Sequence, residues 1–219
     1  MLNNTNALIQ FCEKKYIYSN YITEFYNTFS NIFYIIFGLY WLYFLNKNNI
    51  SELNYFCYSV IFVGISSGLF HSTSNYYMEL IDEFSMFLLN MLILDKFNNF
   101  NSKKNLLVFL NNITIVSLNI SFIYYIINKS FTFFVNSFGI SIAIILLNLY
   151  FHNIDNKNIK FKIVGSLLIG KIFWLIEQNL CNIFYSIFIC HSLWHFFTAL
   201  TCYYTLNYIY IIKFQKKLN

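Results

Sequence analysis

Long apolar runs separated by short polar stretches make up this chain. Residues 25–46, 53–78, 106–128 and 131–151 contain no Asp, Glu, Lys or Arg. Residues 178–212 are also free of formal charge, and their second half, from about residue 190, forms a fifth run. Two further apolar stretches carry charges. Residues 80–97 begin with Asp82 and Glu83, and residues 161–180 contain Lys171 and Glu177. A helix needs about 20 mostly apolar residues to cross a bilayer, against about ten for a membrane strand. The pattern therefore predicts an all-α membrane protein, a bundle of seven transmembrane helices. Residues 1–24 form an N-terminal segment, residues 25–212 the bundle and residues 213–219 a basic tail.

Composition narrows the class. Of 219 residues, 58% are hydrophobic, 22% aromatic and only 11% charged. Soluble domains run near 25% charged, so a soluble globular enzyme, a disordered tail and a nucleic-acid binder are all excluded. The net charge of +5 does not restore the last, because its fourteen cations are all Lys scattered between apolar runs. Five Cys in a chain this long do not make a small disulfide scaffold. The first 24 residues hold no continuous apolar core of a cleavable signal, so the first span is expected to direct insertion.

The lysines set an orientation. With seven spans the termini lie on opposite sides. Lys47, Lys96, Lys103, Lys104, Lys157, Lys160, Lys162, Lys213, Lys216 and Lys217 then share the C-terminal side, against Lys14, Lys15 and Lys129 on the other. The positive-inside rule places the C-terminus in the cytosol and the N-terminus in a lumen or outside.

Ionisable groups within spans are costly and mark function. On this topology Glu24 opens the first span, His71 closes the second, Asp82 opens the third, and His191 and His195 open the seventh. All five fall at one face of the membrane. His191 and His195 are four residues apart and share a helix face, as do Ser67 and His71. Taken singly, a His near a helix start sits at the headgroup interface, and Asp82 with Glu83 marks the end of a loop. Taken together, three imidazoles from two helices form a tripod for Zn²⁺ with a fourth position for water. Asp82 then orients or deprotonates the water, and Ser67 donates to a developing oxyanion. The fourth histidine, His152, reads as a solvated loop residue. Lys171 shares a face with Trp174 and Gln178, where it either faces a cavity and meets a substrate headgroup or carboxylate product, or snorkels.

These residues carry a resemblance. Tyr21-Ile-Thr-Glu-Phe-Tyr-Asn-Thr-Phe-Ser-Asn31, Gly64-Ile-Ser-Ser-Gly-Leu-Phe-His71 with Met78-Glu-Leu-Ile-Asp-Glu83, and Phe173-Trp174 through Cys181 with His191-Ser-Leu-Trp-His195 resemble three blocks of the alkaline ceramidase family. Similar sets occur in the adiponectin-receptor-like and GPI-lipid-remodelling hydrolases. The Glu-Phe-aromatic-Asn-Thr block favours ceramidase. The resemblance implies an intramembrane hydrolase that cuts ceramide into a sphingoid base and a fatty acid. It implies zinc on His71, His191 and His195, water handling by Asp82, and amide polarisation by Ser67. The amide is expected to enter laterally from the bilayer, with its acyl chain between helices.

The family's calcium site maps onto Glu13 and Glu24, but Gln10 and Lys15 replace an Asp and an Asn. Ca²⁺ needs a cage of oxygens, so Ca²⁺ binding is expected to be weakened, with Lys15 pairing with Glu13 or Glu24 in its place. Further departures are Glu177 where the family has Asp, and no Pro after Glu83. Cys12 and Cys181 match family cysteines and are expected to pair in an oxidising lumen, with Cys190 as a competing partner; Cys57 and Cys202 read as packing residues. The ending Lys216-Lys217-Leu218-Asn219 resembles a dilysine retrieval signal, implying endoplasmic reticulum or Golgi. Expected partners are ceramide or a related membrane lipid and the bilayer, with no nucleic acid and no obligate protein. Two other readings stay open: a related hydrolase of another lipid, and a non-catalytic receptor or transporter.

Overall fold

The computed structural model describes residues 6–100, 105–152, 157–181, 183 and 185–215. Within them the chain is helical: α1 (Phe25–Ser30), α2 (Ile32–Lys47), α3 (Asn54–Thr73), α4 (Tyr76–Phe100), α5 (Asn105–Asn128), α6 (Phe131–Phe151), α7 (Lys157–Leu180) and α8 (Ile189–Gln215). A 3-10 turn, Tyr185–Phe188, precedes α8. α1 and α2 read as one 23-residue span interrupted at Asn31, whose Nδ2 donates to the Asn27 carbonyl at 2.8 Å. That joint span, α3, α5 and α6 are each long and apolar enough to cross a membrane. α4, α7 and α8 are as long, with 25, 24 and 27 residues, and carry much of the buried polarity described below.

Helices adjacent in sequence pack in pairs from α2 to α6, α7 packs on α8, and α8 closes the bundle against α2 and α3. Among the described residues α6 and α7 are the neighbours that do not pack closely on each other. The larger apolar core, which includes Trp41, Leu45, Phe56, Phe97, Tyr208 and Ile209, fills one half of the bundle. A smaller one, built on Phe87, Leu118, Tyr125 and Phe134, joins α4, α5 and α6. Close approach of α2 and α3 depends on Gly64. A Cβ there would lie 2.9 Å from the Tyr34 Cβ and 3.0 Å from the Asn31 carbonyl oxygen, closer than side chains tolerate. Ser67 lies one turn further along α3, and His71 one turn beyond that.

The boundary between α3 and α4 differs from the sequence expectation. Ser74 adopts a left-handed conformation (φ 46°, ψ 38°), and its N–H donates to the Phe70 carbonyl at 2.7 Å, ending α3. α4 begins at Tyr76, so Asp82 and Glu83 are its seventh and eighth residues, about two turns in and not at its opening. His152 is also corrected: it is buried, its Nδ1 lies 3.2 Å from the Tyr208 hydroxyl, and its ring packs on Phe100 and Tyr208. Lys103, Lys104, Lys216 and Lys217, and with them the dilysine ending, lie outside the described residues.

The N-terminal segment is tied across one end of the bundle. Ala7 and Thr23 N–H donate to the Ser74 and Ser72 carbonyls at 3.1 and 2.9 Å, and Glu24 N–H to the His71 carbonyl at 3.1 Å. Leu8 N–H reaches the Glu79 carboxylate at 2.6 Å. Cys12 is disulfide-bonded to Cys181, while Cys57 and Cys190 are buried free thiols and Cys202 a half-buried one.

Candidate metal centre and lipid cavity

α3 delivers His71 from its last turn, and α8 delivers His191 and His195 from its first two. All three rings are buried, and one ligand nitrogen from each lies within 4.8 Å of the others. Among the described residues this is the one cluster of three or more His, Cys, Asp or Glu so arranged.

Each imidazole has one nitrogen already committed. His71 Nδ1 lies 2.7 Å from Glu24 Oε2, and His191 Nδ1 lies 2.8 Å from Glu177 Oε2. Ionised carboxylates only accept hydrogen bonds, so both Nδ1 atoms carry the proton. His195 Nδ1 lies 2.7 Å from Ser30 Oγ, and Ser30 donates its own hydrogen to the Asn27 carbonyl at 2.9 Å. Ser30 must therefore accept from His195. With Nδ1 engaged on each ring, Nε2 is the nitrogen left to bind a metal, and the partners are of the kind that orient metal-binding histidines. The donor set fits a divalent metal such as zinc, which takes nitrogen ligands readily.

Two of these partners were not assigned a role from sequence. Ser30 is a polar residue in a helical turn, and Glu177 an isolated acid in an apolar run. Glu177 is 1% exposed and also accepts the Cys12 N–H through Oε1 at 3.0 Å. Glu24 stands against His71 and accepts from Asn27 Nδ2 at 3.0 Å. Glu13 takes the Tyr26 and Asn27 N–H groups at 2.8 and 2.9 Å, capping the start of α1. Burial pushes the Glu13 carboxyl above its ordinary range, against the opposing pull of those two N–H groups. The pairing expected of Lys15 is not seen: Lys15 is exposed, and the carboxylates of Glu13 and Glu24 are engaged by backbone, His71 and Asn27. Phe11 roofs the cluster, its ring centroid 4.0 Å from that of His191 and 4.8 Å from that of His71.

The three histidines open onto a cavity of about 280 Å³ whose wall also includes Ser67, Asp82, Lys171 and Trp174. Ser67 stands beside the Asp82 carboxyl, whose Oδ1 has no hydrogen-bond partner. The Lys171 ammonium lies over the Trp174 ring, 3.4 Å from its centroid. Phenylalanines of α6 and Leu167 and Leu168 of α7 complete the wall, so the cavity is bounded by the two helices that do not pack on each other. A second, smaller cavity of about 80 Å³ shares Tyr34 and Trp194 with the first and is lined further by Thr198, Asn90 and Thr205.

A helical bundle that buries three oriented imidazoles beside an apolar cavity defines a membrane protein with a candidate metal centre. Residues 3–219 match the Ceramidase family, and the chain belongs to it. It is 29% identical to "Alkaline ceramidase YPC1" of Saccharomyces cerevisiae over 81% of this chain and 64% of that protein. It is 27% identical to "Alkaline ceramidase 1" of Homo sapiens over 88% of this chain and 78% of that protein. The mouse protein of the same name is 27% identical over 88% of this chain and 75% of its own length.

Proposed function

We propose that the protein is a zinc-dependent hydrolase that cleaves the amide bond of ceramide within the membrane, releasing a sphingoid base and a fatty acid. The observation that carries this reading is the commitment of all three Nδ1 atoms in a tight buried cluster, which leaves Nε2 of each ring available to a metal beside Ser67 and Asp82 on an apolar cavity. Bound there, zinc supplies Lewis acidity towards the amide carbonyl and lowers the pKa of water. Asp82 takes a proton from the attacking water and passes it to the departing nitrogen. Ser67 donates to the carbonyl oxygen as negative charge builds on it. The apolar walls hold the acyl chain, and the gap between α6 and α7 gives a lipid lateral access. Lys171 and Trp174 belong to the same substrate cavity. The disulfide between Cys12 and Cys181 holds the Phe11 roof in place.

The topology of this reading has seven spans. Ten of the fourteen lysines fall on the C-terminal side, which supports a cytosolic C-terminus and a lumenal metal centre. A lumenal disulfide fits an oxidising compartment such as the endoplasmic reticulum or Golgi. Ca²⁺ is given no role, because Glu13 and Glu24 already have partners.

The test is hydrolysis of a fluorescent ceramide by the purified protein beside His195→Ala, with metal content measured on both. The reading expects near-stoichiometric zinc and turnover, both lost in the variant. Zinc without ceramide turnover would move the function to another lipid amide or ester. Absence of both would remove the hydrolase reading.

A further inference from the structure

Lys171 has no role in the chemistry described so far, yet it occupies the substrate cavity. It lies on α7 six residues before Glu177, about 9 Å deeper along the helix axis at 1.5 Å per residue. A lysine at such depth ordinarily extends its ammonium to the nearest interface. Here its ammonium rests 3.4 Å from the Trp174 ring centroid, on the cavity wall. Gly170 beside it lets α7 sit close to α8, where a Cβ would lie 3.2 Å from the Phe197 Cβ. Among the described residues Lys171 has no ion pair. Neither carboxyl on the same wall, Asp82 or Glu83, is ion-paired with it.

A charge kept inside a span at this cost has a purpose. An uncharged ceramide offers it nothing to pair with, and the indole face is a weak substitute for an anion. Amide hydrolysis changes that: RCONHR′ + H₂O gives RCOO⁻ and R′NH₃⁺, with both protons of water ending on the nitrogen. One product is attracted to an ammonium and the other repelled by it.

We infer that Lys171 is a product-binding position that receives the carboxylate of the released fatty acid, drawing it from the metal centre into the deeper cavity. This rests on the amidase reading above. The anion is recognised by charge, so a phosphate on a lipid headgroup would satisfy the same chemistry; the carboxylate is favoured because the reaction generates it beside the ammonium.

The experiment is direct binding of palmitate, hexadecanol and hexadecyl phosphate to the purified full-length protein, followed by tryptophan fluorescence. Wild type, Lys171→Met and Lys171→Arg are compared. Palmitate is expected to bind wild type better than hexadecanol does, to lose about tenfold or more in Lys171→Met, and to recover in Lys171→Arg. Hexadecanol binding is expected to be the same in all three. Equal palmitate binding by wild type and Lys171→Met would overturn the inference, as would a parallel loss for hexadecanol. Tighter, Lys171-dependent binding of hexadecyl phosphate than of palmitate would reassign the position to a phosphate headgroup. Binding needs no turnover, so this result stands apart from the ceramide assay, and a failure of either is recognised by itself.

Discussion

Glu177 joins His191 to the N-terminal segment: Oε2 accepts from His191 Nδ1 at 2.8 Å while Oε1 accepts from the Cys12 N–H at 3.0 Å. One carboxylate on α7 thus fixes the tautomer of a candidate metal ligand on α8 and the position of the strap lying over it. Glu177→Gln keeps the shape and one acceptor oxygen but removes the charge, and it can present an NH₂ to a group that also donates. Zinc affinity is expected to fall about 10- to 100-fold, with the helical fold intact. Zinc retained after dialysis against a graded chelator, read beside circular dichroism, checks this. Glu24→Gln at His71 is expected to act in the same direction.

The disulfide makes the strap part of the site. Cys12 carries the N–H that Glu177 accepts, and its neighbour Phe11 covers His191 and His71. Cys12→Ser leaves the backbone N–H in place but frees the segment from α7. A stability loss of about 2–4 kcal/mol is expected from the lost cross-link, together with faster zinc loss as the roof lifts. Melting in detergent with and without a reductant measures the first. Reduction should move the wild-type melting temperature and leave that of Cys12→Ser unchanged.

Glu13 gives the strap a pH dependence whose sign follows from burial. Its carboxyl titrates above the ordinary value of 4.5 in the folded protein, so over that window the folded state holds a proton the unfolded chain has lost. Stability from this group is complete below 4.5 and declines as pH rises through the raised value. Glu13→Gln cannot ionise and should flatten that slope. Melting temperatures taken from about pH 4 to pH 7 show whether it does.

Much of the bundle was legible because hydropathy reports long uninterrupted spans directly. α6 occupies the predicted residues 131–151, and α5 differs from 106–128 by one residue. The end of α3 was hidden because Ser74 makes its turn inside an uncharged stretch, and a left-handed residue has no hydropathy signature. At the site, His71, His191 and His195 were readable from helical spacing plus topology. Their partners were not, since Ser30 is 165 residues from His195 and only packing brings the two together. Glu24 falls on the same membrane face as the histidines in the sequence, but that its carboxylate meets His71 is visible only in the packing. His152 misled for the same reason: its sequence neighbours are polar, while Tyr208, which buries it, lies 56 residues away.

Asp82 and Ser67 separate the chemistry from the metal. Both line the cavity beside the three histidines, and neither accepts or donates at an imidazole Nδ1. Removing either should therefore leave zinc bound. Asp82→Asn cannot take a proton from water, and turnover is expected to fall about 10²- to 10⁴-fold, the range for a positioned acid–base group. Ser67→Ala removes one donor to the developing oxyanion, for a loss of about 10²- to 10³-fold. Because Ser67 and Asp82 stand side by side in the same wall and act on the same reacting group, the two losses should not add: the double variant is expected to be little worse than Asp82→Asn alone. Zinc content, substrate binding and single-turnover rates on the three variants decide the matter. If zinc fell along with activity, Asp82 would be part of the metal's support and the water would need another base.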